Sequence, residues 1–240
     1  MTTAHEEPAL NGAQALMRSL VGAGVDVCFT NPGTSEMHFV AALDRVPGMR
    51  GVLGLFEGVV TGAADGYARM AGRPAVALLH LAPGLGNGLA NLHNARKGGV
   101  PVVVVVGDHA RHHRGLGAPL DADIETVARN VSTWIRTSSG PAAVGTDAVE
   151  AVAAAAAAPG QVATLILPAD VSWREGGSIA DPIAPATPAA VADDTVAAVA
   201  AALRAPAPAL LLLGGRVLAD PGALGAAARV CAGTGARMLA

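Results

Sequence analysis

The chain has 240 residues, a formal net charge of -3, 52% apolar residues and 15% charged ones. That length suits one large or two modest domains, and the apolar share allows a sizeable core, which excludes a disordered chain. With no basic run and only 2% aromatics, the sequence offers no nucleic-acid surface.

Met1 to Leu10 carries Glu6, Glu7 and Pro8, with neither a basic region nor an apolar stretch of the kind that opens a signal peptide. The longest strongly apolar runs, such as Val100 to Val106, are too short to span a bilayer, so no membrane partner is expected. Cys28 and Cys231 lie far apart with no metal-ligand spacing and read as small apolar residues of a cytoplasmic protein.

In chain order, strand-like and helix-like segments alternate. Asn11 to Gly24 is a helix with Ala15, Leu16, Leu20 and Val21 on one face, and Val25 to Phe29 a short strand. Asn31-Pro32-Gly33 is turn chemistry, after which Thr34 or Ser35 can cap a helix running to about Asp44. Met49 to Phe56 reads as a strand and Glu57 to Met70 as a helix. Ala75 to Leu81 is a buried strand, followed by a glycine-rich turn and a helix to about Lys97. Pro101 to Gly107 is a β-branched run suited to a central strand. Strand Thr133 to Ser138, helix Thr146 to Ala157 and strand Val162 to Leu167 complete the series.

This alternation predicts an α/β fold, a parallel sheet with helices on both faces. Ligands in such sheets sit beyond the carboxyl ends of the strands, where Asn31, Glu57, His80 and Asp108 all fall. Asp170 to Pro188 has three prolines and no periodicity and reads as an interdomain linker, placing a first domain at 1–170 and the linker at 171–190. A second α/β unit follows over 191–240, with helix Val191 to Arg204, strand Ala209 to Leu213, helix Pro221 to Ala232 and a strand opening at Ala236. So few βα units do not close a core, so the expectation is a truncated chain or a domain completed by another polypeptide.

Several residues carry candidate chemistry. Glu57 follows the apolar run Val52 to Phe56, and burial there would raise its pKa while the helix start would lower it. It is equally a helix-start carboxylate serving backbone N–H groups. The following helix holds Gly58, Gly62, Ala63, Ala64 and Gly66, and each glycine costs about 1 kcal/mol relative to alanine. Tight helix packing and close ligand approach both account for them. His80 to Gly88 is a glycine loop that departs from the dinucleotide pattern and lacks the lysine of a P-loop. His109, His112 and His113 cluster beside Arg111 and Arg114, whose charges oppose a bound metal. A polar rim loop and a substrate-facing histidine pair are the two readings.

Asn31-Pro32-Gly33-Thr34-Ser35-Glu36, then Glu57 with Ala63-Ala64-Asp65-Gly66-Tyr67-Ala68-Arg69, then His80 to Asn87 and Pro101 to Gly107, resemble in order the amino-terminal domain of thiamine-diphosphate enzymes. The nearest look is to the acetolactate synthase and benzoylformate decarboxylase group. The resemblance covers about residues 10 to 170 and reaches into the start of the central domain.

It implies an enzyme that decarboxylates or joins 2-oxo acids. The matching glutamate, Glu57, would hydrogen-bond N1′ of the aminopyrimidine and so promote loss of the thiazolium C2 proton. Asn31, Pro32, Gly33 and Asn87 would border the cofactor. His80 would handle protons beside the substrate, Thr34 would touch its carboxylate, and His112 and His113 would match a histidine pair of pyruvate-decarboxylase-like enzymes. The family holds diphosphate and Mg2+ on a separate carboxyl-terminal domain through a Gly-Asp-Gly motif, which this chain lacks. No metal ligand is therefore expected here, and the partner would be a second copy, in a homodimer or homotetramer, or a separate diphosphate-binding subunit. FAD would enter only on the acetolactate synthase reading, through the central domain. The alternatives are a non-catalytic partner that keeps the fold and, with least support, an unrelated dinucleotide-binding protein.

Overall fold

The computed structural model describes residues 9–240, so Glu6, Glu7 and Pro8 lie outside the described residues. The chain divides into two compact units, Met1–Ala186 and Thr187–Ala240.

The first unit runs α1 (Gly12–Gly22), β1 (Val27–Asn31), α2 (Met37–Arg45), β2 (Arg50–Leu53), α3 (Glu57–Ala71), β3 (Ala75–His80), α4 (Leu81–Lys97), β4 (Val102–Asp108), α5 (Ile124–Ala128), β5 (Trp134–Thr137), α6 (Val144–Ala156), β6 (Val162–Pro168) and α7 (Ala169–Trp173). The six strands form one parallel sheet in the order β2-β1-β3-β4-β6-β5. The α/β expectation holds. Valine-rich β4 is buried along its whole length in the middle of the sheet, where β-branched side chains pack on both faces. One core cluster joins α1, α2, α6 and α7 to one face, with Leu16, Leu20, Phe39, Leu78 and Leu165 fully buried. A second joins α3, α4 and α5 to the other, around Leu79, Leu85, Leu92 and Val104.

The sheet turns at β1. The chain leaves β1 for β2 on one side and returns to β3 on the other, so a crevice opens between the carboxyl ends of β1 and β3. Such a switch point is where open α/β sheets receive ligands, because the connections diverge there.

Three local differences from the sequence expectations bear on that rim. The strand expected over Met49 to Phe56 is only Arg50–Leu53, and it is the exposed edge of the sheet. The glycine turn after His80 is instead the first part of α4, which starts directly at Leu81. Leu81 has φ 53°, in the left-handed region, at a cost of about 1–3 kcal/mol. Its side chain is 1% exposed, and burying a leucine returns about 1.5–3 kcal/mol, enough to hold the sharp turn. Third, neither Thr34 nor Ser35 caps α2; Thr34–Glu36 forms a single 3-10 turn in which Glu36 accepts the Gly33 N–H at 2.7 Å.

The segment after β6 is also more ordered than its composition suggests. Asp170, Val171 and Ser172 are buried on α7, Gly177 N–H reaches Leu10 O, and Ala180 N–H reaches Ser19 Oγ at 3.1 Å. Gly12 has no room for a Cβ, which would overlap the Val171 carbonyl, so α1 and α7 meet backbone to backbone. The second unit holds α8 (Asp193–Leu203), β7 (Leu210–Leu212), α9 (Pro221–Thr234) and β8 (Arg237–Leu239), with β7 and β8 parallel. It starts α9 with an Asp220 cap and Pro221, and ends it at Gly235 with φ 73°. Cys28 is buried and Cys231 half-buried, both as free thiols; burial pushes the Cys28 thiol well up. No described helix is long and apolar enough to cross a membrane.

Asp170 ties the loop after β4 to the end of β6. It accepts the Arg111 backbone N–H and Nε, both at 2.9 Å, and Arg174 lies beyond. Burial works to raise its carboxyl, but the Arg111 hydrogen bonds and the two guanidinium charges outweigh burial and hold it below the usual range. A carboxyl depressed in the folded state contributes stability above its unfolded pKa and loses that stability as pH falls through the folded pKa. Asp170→Asn should therefore lower the unfolding free energy by about 1–3 kcal/mol at neutral pH. Urea titrations of both proteins should converge as pH drops below about 4. A difference that persists unchanged at lower pH would reject the assignment.

Candidate functional site

Glu57 opens α3 and Asn87 lies on the second turn of α4. Asn87 Nδ2 donates to Glu57 Oε2 at 3.0 Å. That leaves Oε1, which would lie 3.3 Å from a Cβ at Gly84. His80 Cβ is 3.6 Å from that same point, so a side chain at Gly84 would meet both Glu57 and His80. Glu57 is half-buried, and the apolar residues around it face outward: Leu53, Leu55, Phe56 and Val59 are 66%, 89%, 49% and 59% exposed. The buried strand end expected for this carboxyl is absent from the chain; its apolar surroundings form an uncovered surface.

The position of Glu57 follows from how closely α3 and α4 pack. Thr61 Oγ1 donates to Gly88 O at 3.1 Å, and Asn91 Nδ2 donates to Gly58 O at 2.7 Å. A Cβ on Gly88 would sit 2.8 Å from Thr61 Cγ2, and one on Gly62 3.0 Å from Asn91 Nδ2. Of the α3 glycines, helix packing accounts for Gly62; a Cβ on Gly58 would meet Phe56 of the same segment and one on Gly66 would meet nothing, while on α4 Gly88 serves the helix contact and a Cβ on Gly84 would meet Glu57.

His80 ends β3 at the other side of the crevice. Its Nδ1 lies 2.8 Å from Glu36 Oε2. Glu36 is fully buried, whereas the His80 side chain is 22% exposed. Burial pushes the Glu36 carboxyl above its ordinary range, and its interactions with His80 and the Gly33 N–H draw it partway back. Gly33 packs its α-carbon on the imidazole, where any Cβ would overlap the ring.

The remaining sequence-nominated residues differ in how they are held. Asn31 ends β1 and donates Nδ2 to Gly54 O at 2.8 Å, tying that strand to the segment before Glu57. Pro32 is half-buried and Thr34 exposed. His112 and His113 are exposed in a short 3-10 turn, with rings 4.2 Å apart, and no described hydrogen bond links them to Glu57 or to the Glu36–His80 pair. Asp108 ends β4 and is paired with Arg114. No described group of three or more histidine, cysteine or acidic side chains is arranged to hold a metal ion.

Sequence reasoning missed Glu36 as a site residue. Its signal was available: a carboxylate three residues after a turn glycine, in a segment with no basic neighbour to pair with. It also missed that the Ala63 to Arg69 stretch is largely structural. Tyr67 OH donates to Asp26 at 2.7 Å, Arg73 joins both, and Arg69 pairs with Asp65, so the end of α3 is bound to the entry of β1.

Two neighbouring glycines of α4 test the packing. A helix-interior glycine replaced by alanine gains about 0.5–1 kcal/mol where space is open. Nothing lies within 4 Å of a Cβ on Gly86. Gly86→Ala should raise the urea midpoint. Gly88→Ala should lower it, because crowding against Thr61 costs about 1–3 kcal/mol and exceeds the propensity gain. Shifts of the same sign would refute this account of the helix contact.

With this geometry in place, comparison with known proteins is informative. Residues 10–129 match the model of the thiamine pyrophosphate enzyme N-terminal TPP binding domain. The chain is 62% identical over 230 residues to IlvX of Mycobacterium tuberculosis (strain ATCC 25618 / H37Rv), whose name assigns it provisionally to the acetolactate synthase large subunits; the match covers 96% of this chain and 44% of that protein. It is 38% identical over 112 residues to a benzoylformate decarboxylase of Pseudomonas aeruginosa, covering 46% of this chain and 21% of the relative. Its fold superposes on the thiamine diphosphate-dependent 4-hydroxybenzoylformate decarboxylase of Rhodococcus jostii RHA1 with a TM-score of 0.74 and 26% identity, over 84% of this chain and 39% of that one. A Mycobacterium smegmatis structure, provisionally assigned as a thiamin diphosphate-dependent enzyme, gives 0.83 and 25% over 96% and 44%. The chain thus spans less than half the length of the relatives it matches. It belongs to the thiamine pyrophosphate enzyme family, and residues 10–129 are its N-terminal TPP binding domain.

Proposed function

We propose that this chain forms the pyrimidine side of the active site in a thiamine-diphosphate-dependent enzyme that decarboxylates or joins 2-oxo acids. One observation carries the reading. Glu57 has one carboxylate oxygen held by Asn87 and the other left beside the bare backbone of Gly84, in apolar surroundings open on this chain. An aminopyrimidine edge needs an oriented carboxyl oxygen and a flat approach, and the apolar surface around them would exclude water once a partner covered it.

When bound, the cofactor supplies the carbon nucleophile and the electron sink for decarboxylation. The chain's own residues do the rest. Glu57 shares a proton with the pyrimidine ring nitrogen, and Asn87 fixes which oxygen does so. Asn31, Pro32 and Gly33 border the ring, with Asn31 holding the loop through Gly54 O. His80 exchanges protons on the substrate side. Thr34 lies at the mouth as a hydroxyl for the substrate carboxylate, and His112 and His113 line the outer rim. The exposed Leu53, Leu55, Phe56 and Val59 are the surface that a second subunit would cover, completing a dimer or tetramer or docking a separate diphosphate-binding subunit. Diphosphate and Mg2+ would be held by groups outside these 240 residues, since the sequence has no Gly-Asp-Gly. In this reading 1–170 is the pyrimidine domain, 171–190 a linker and 191–240 the start of a central domain, and the protein acts in the cytoplasm. FAD would be a feature of the acetolactate synthase branch, read by a flavin spectrum.

The test is turnover of pyruvate and benzoylformate in parallel by the holoenzyme loaded with thiamine diphosphate and Mg2+. Glu57→Gln should lower C2-proton exchange and turnover by about 10²–10⁴-fold while leaving the circular dichroism unchanged. A variant with normal exchange would remove Glu57 from this role.

A further inference from the structure

We propose that Glu36 is the positioning residue for His80: its buried carboxylate holds the Nδ1 edge of the imidazole and turns the Nε2 edge to the substrate side of the crevice. The proposal rests on the reading of His80 as the group that exchanges protons with substrate.

The tautomer follows from the shared oxygen. Glu36 Oε2 accepts the backbone N–H of Gly33 at 2.7 Å and lies 2.8 Å from His80 Nδ1. A backbone N–H only donates, so Oε2 is an acceptor there. A protonated oxygen would accept poorly, so the same atom also accepts from the ring, which places the imidazole proton on Nδ1 and leaves Nε2 as the reactive nitrogen. Burial makes Glu36 more basic than a surface carboxylate, and so a stronger acceptor for that proton.

Two glycines hold the arrangement sterically. A Cβ on Gly33 would overlap the imidazole, and a Cβ on Gly107 would fall inside the Glu36 carboxyl group. Gly107 lies directly opposite His80 in the β3–β4 register, so the sheet itself leaves the space that Glu36 fills. Glu36 Oε1 is buried without a partner. Keeping such an atom unpaired is costly, and the sequence retains a carboxylate where an apolar side chain would fill the same volume. The hydrogen bonds at Oε2 are what an apolar side chain would not supply.

The experiment reads His80 directly. Histidine is labelled with 15N in the holoenzyme, and the ring tautomer is assigned by nitrogen–proton correlation in wild type, Glu36→Gln, Glu36→Leu and Gly107→Ala, with kcat and KM measured on the same samples. Wild type and Glu36→Gln should show the Nδ1–H tautomer, because the amide oxygen still accepts from Gly33 and His80. Glu36→Leu and Gly107→Ala should lose it, with kcat falling about 100-fold and KM changing by less than about threefold. Gly107→Ala displaces the carboxylate without removing it, so the prediction survives if the leucine variant fails to fold. An Nδ1–H tautomer retained in either of those two variants overturns the proposal, as does a lost tautomer with kcat within threefold of wild type. Glu57→Gln is run alongside. If it turns over normally, the thiamine reading fails and takes the catalytic role of the pair with it, whatever the tautomer shows.

Discussion

The close contact between α3 and α4 sets the geometry on which the candidate site depends. Thr61 and Asn91 bond across it to the carbonyls of Gly88 and Gly58, and Gly88 and Gly62 let the opposite helix approach where a methyl group would be crowded. Glycine weakens a helix by about 1 kcal/mol, a deficit offset here by polar bonds between buried carbonyls and side chains. The contact brings the first turn of α3 beside the second turn of α4, so Glu57 and Asn87 meet at 3.0 Å without either side chain reaching. A carboxylate held that way presents one oxygen in a fixed direction, which an exposed glutamate does not do.

The sheet supplies the other wall. β1 and β3 part at the switch point, and their last residues, Asn31 and His80, stand on either side of the crevice. The strain at Leu81 makes the turn from β3 into α4 abrupt enough for His80 and Gly84 to face the same space. The candidate site therefore depends on two adjacent βα turns, while the rest of the sheet keeps them in register.

Much of this was legible in the residue pattern. Alternating strands and helices, the valine run of β4 and the strand-end positions of Asn31, Glu57, His80 and Asp108 all point to one rim of a parallel sheet. Less legible was the burial of each position. The run Val52 to Phe56 looks like a core strand, yet it lies at the sheet edge with Leu55 and Phe56 facing out. Hydropathy does not distinguish a core from a surface awaiting a partner, because both require apolar side chains. The glycines after His80 suggested a turn for a similar reason: glycine marks loops and close helix contacts alike, and only the opposing Thr61 separates the two. Glu36 stayed hidden because a buried carboxylate is identified by its surroundings, and those come from β3 and β4, far along the chain.

Gly107 carries a consequence for how this chain can vary. Because Glu36 occupies the space that a side chain at 107 would need, the two positions are not independent. Descendants that kept the carboxylate would be confined to glycine at 107, and those that lost it would be free to fill the strand end with a larger residue. Such a lineage would carry its change as a linked pair, and a redesign of the pocket that enlarges position 107 alone would start from an intermediate less fit than either end point.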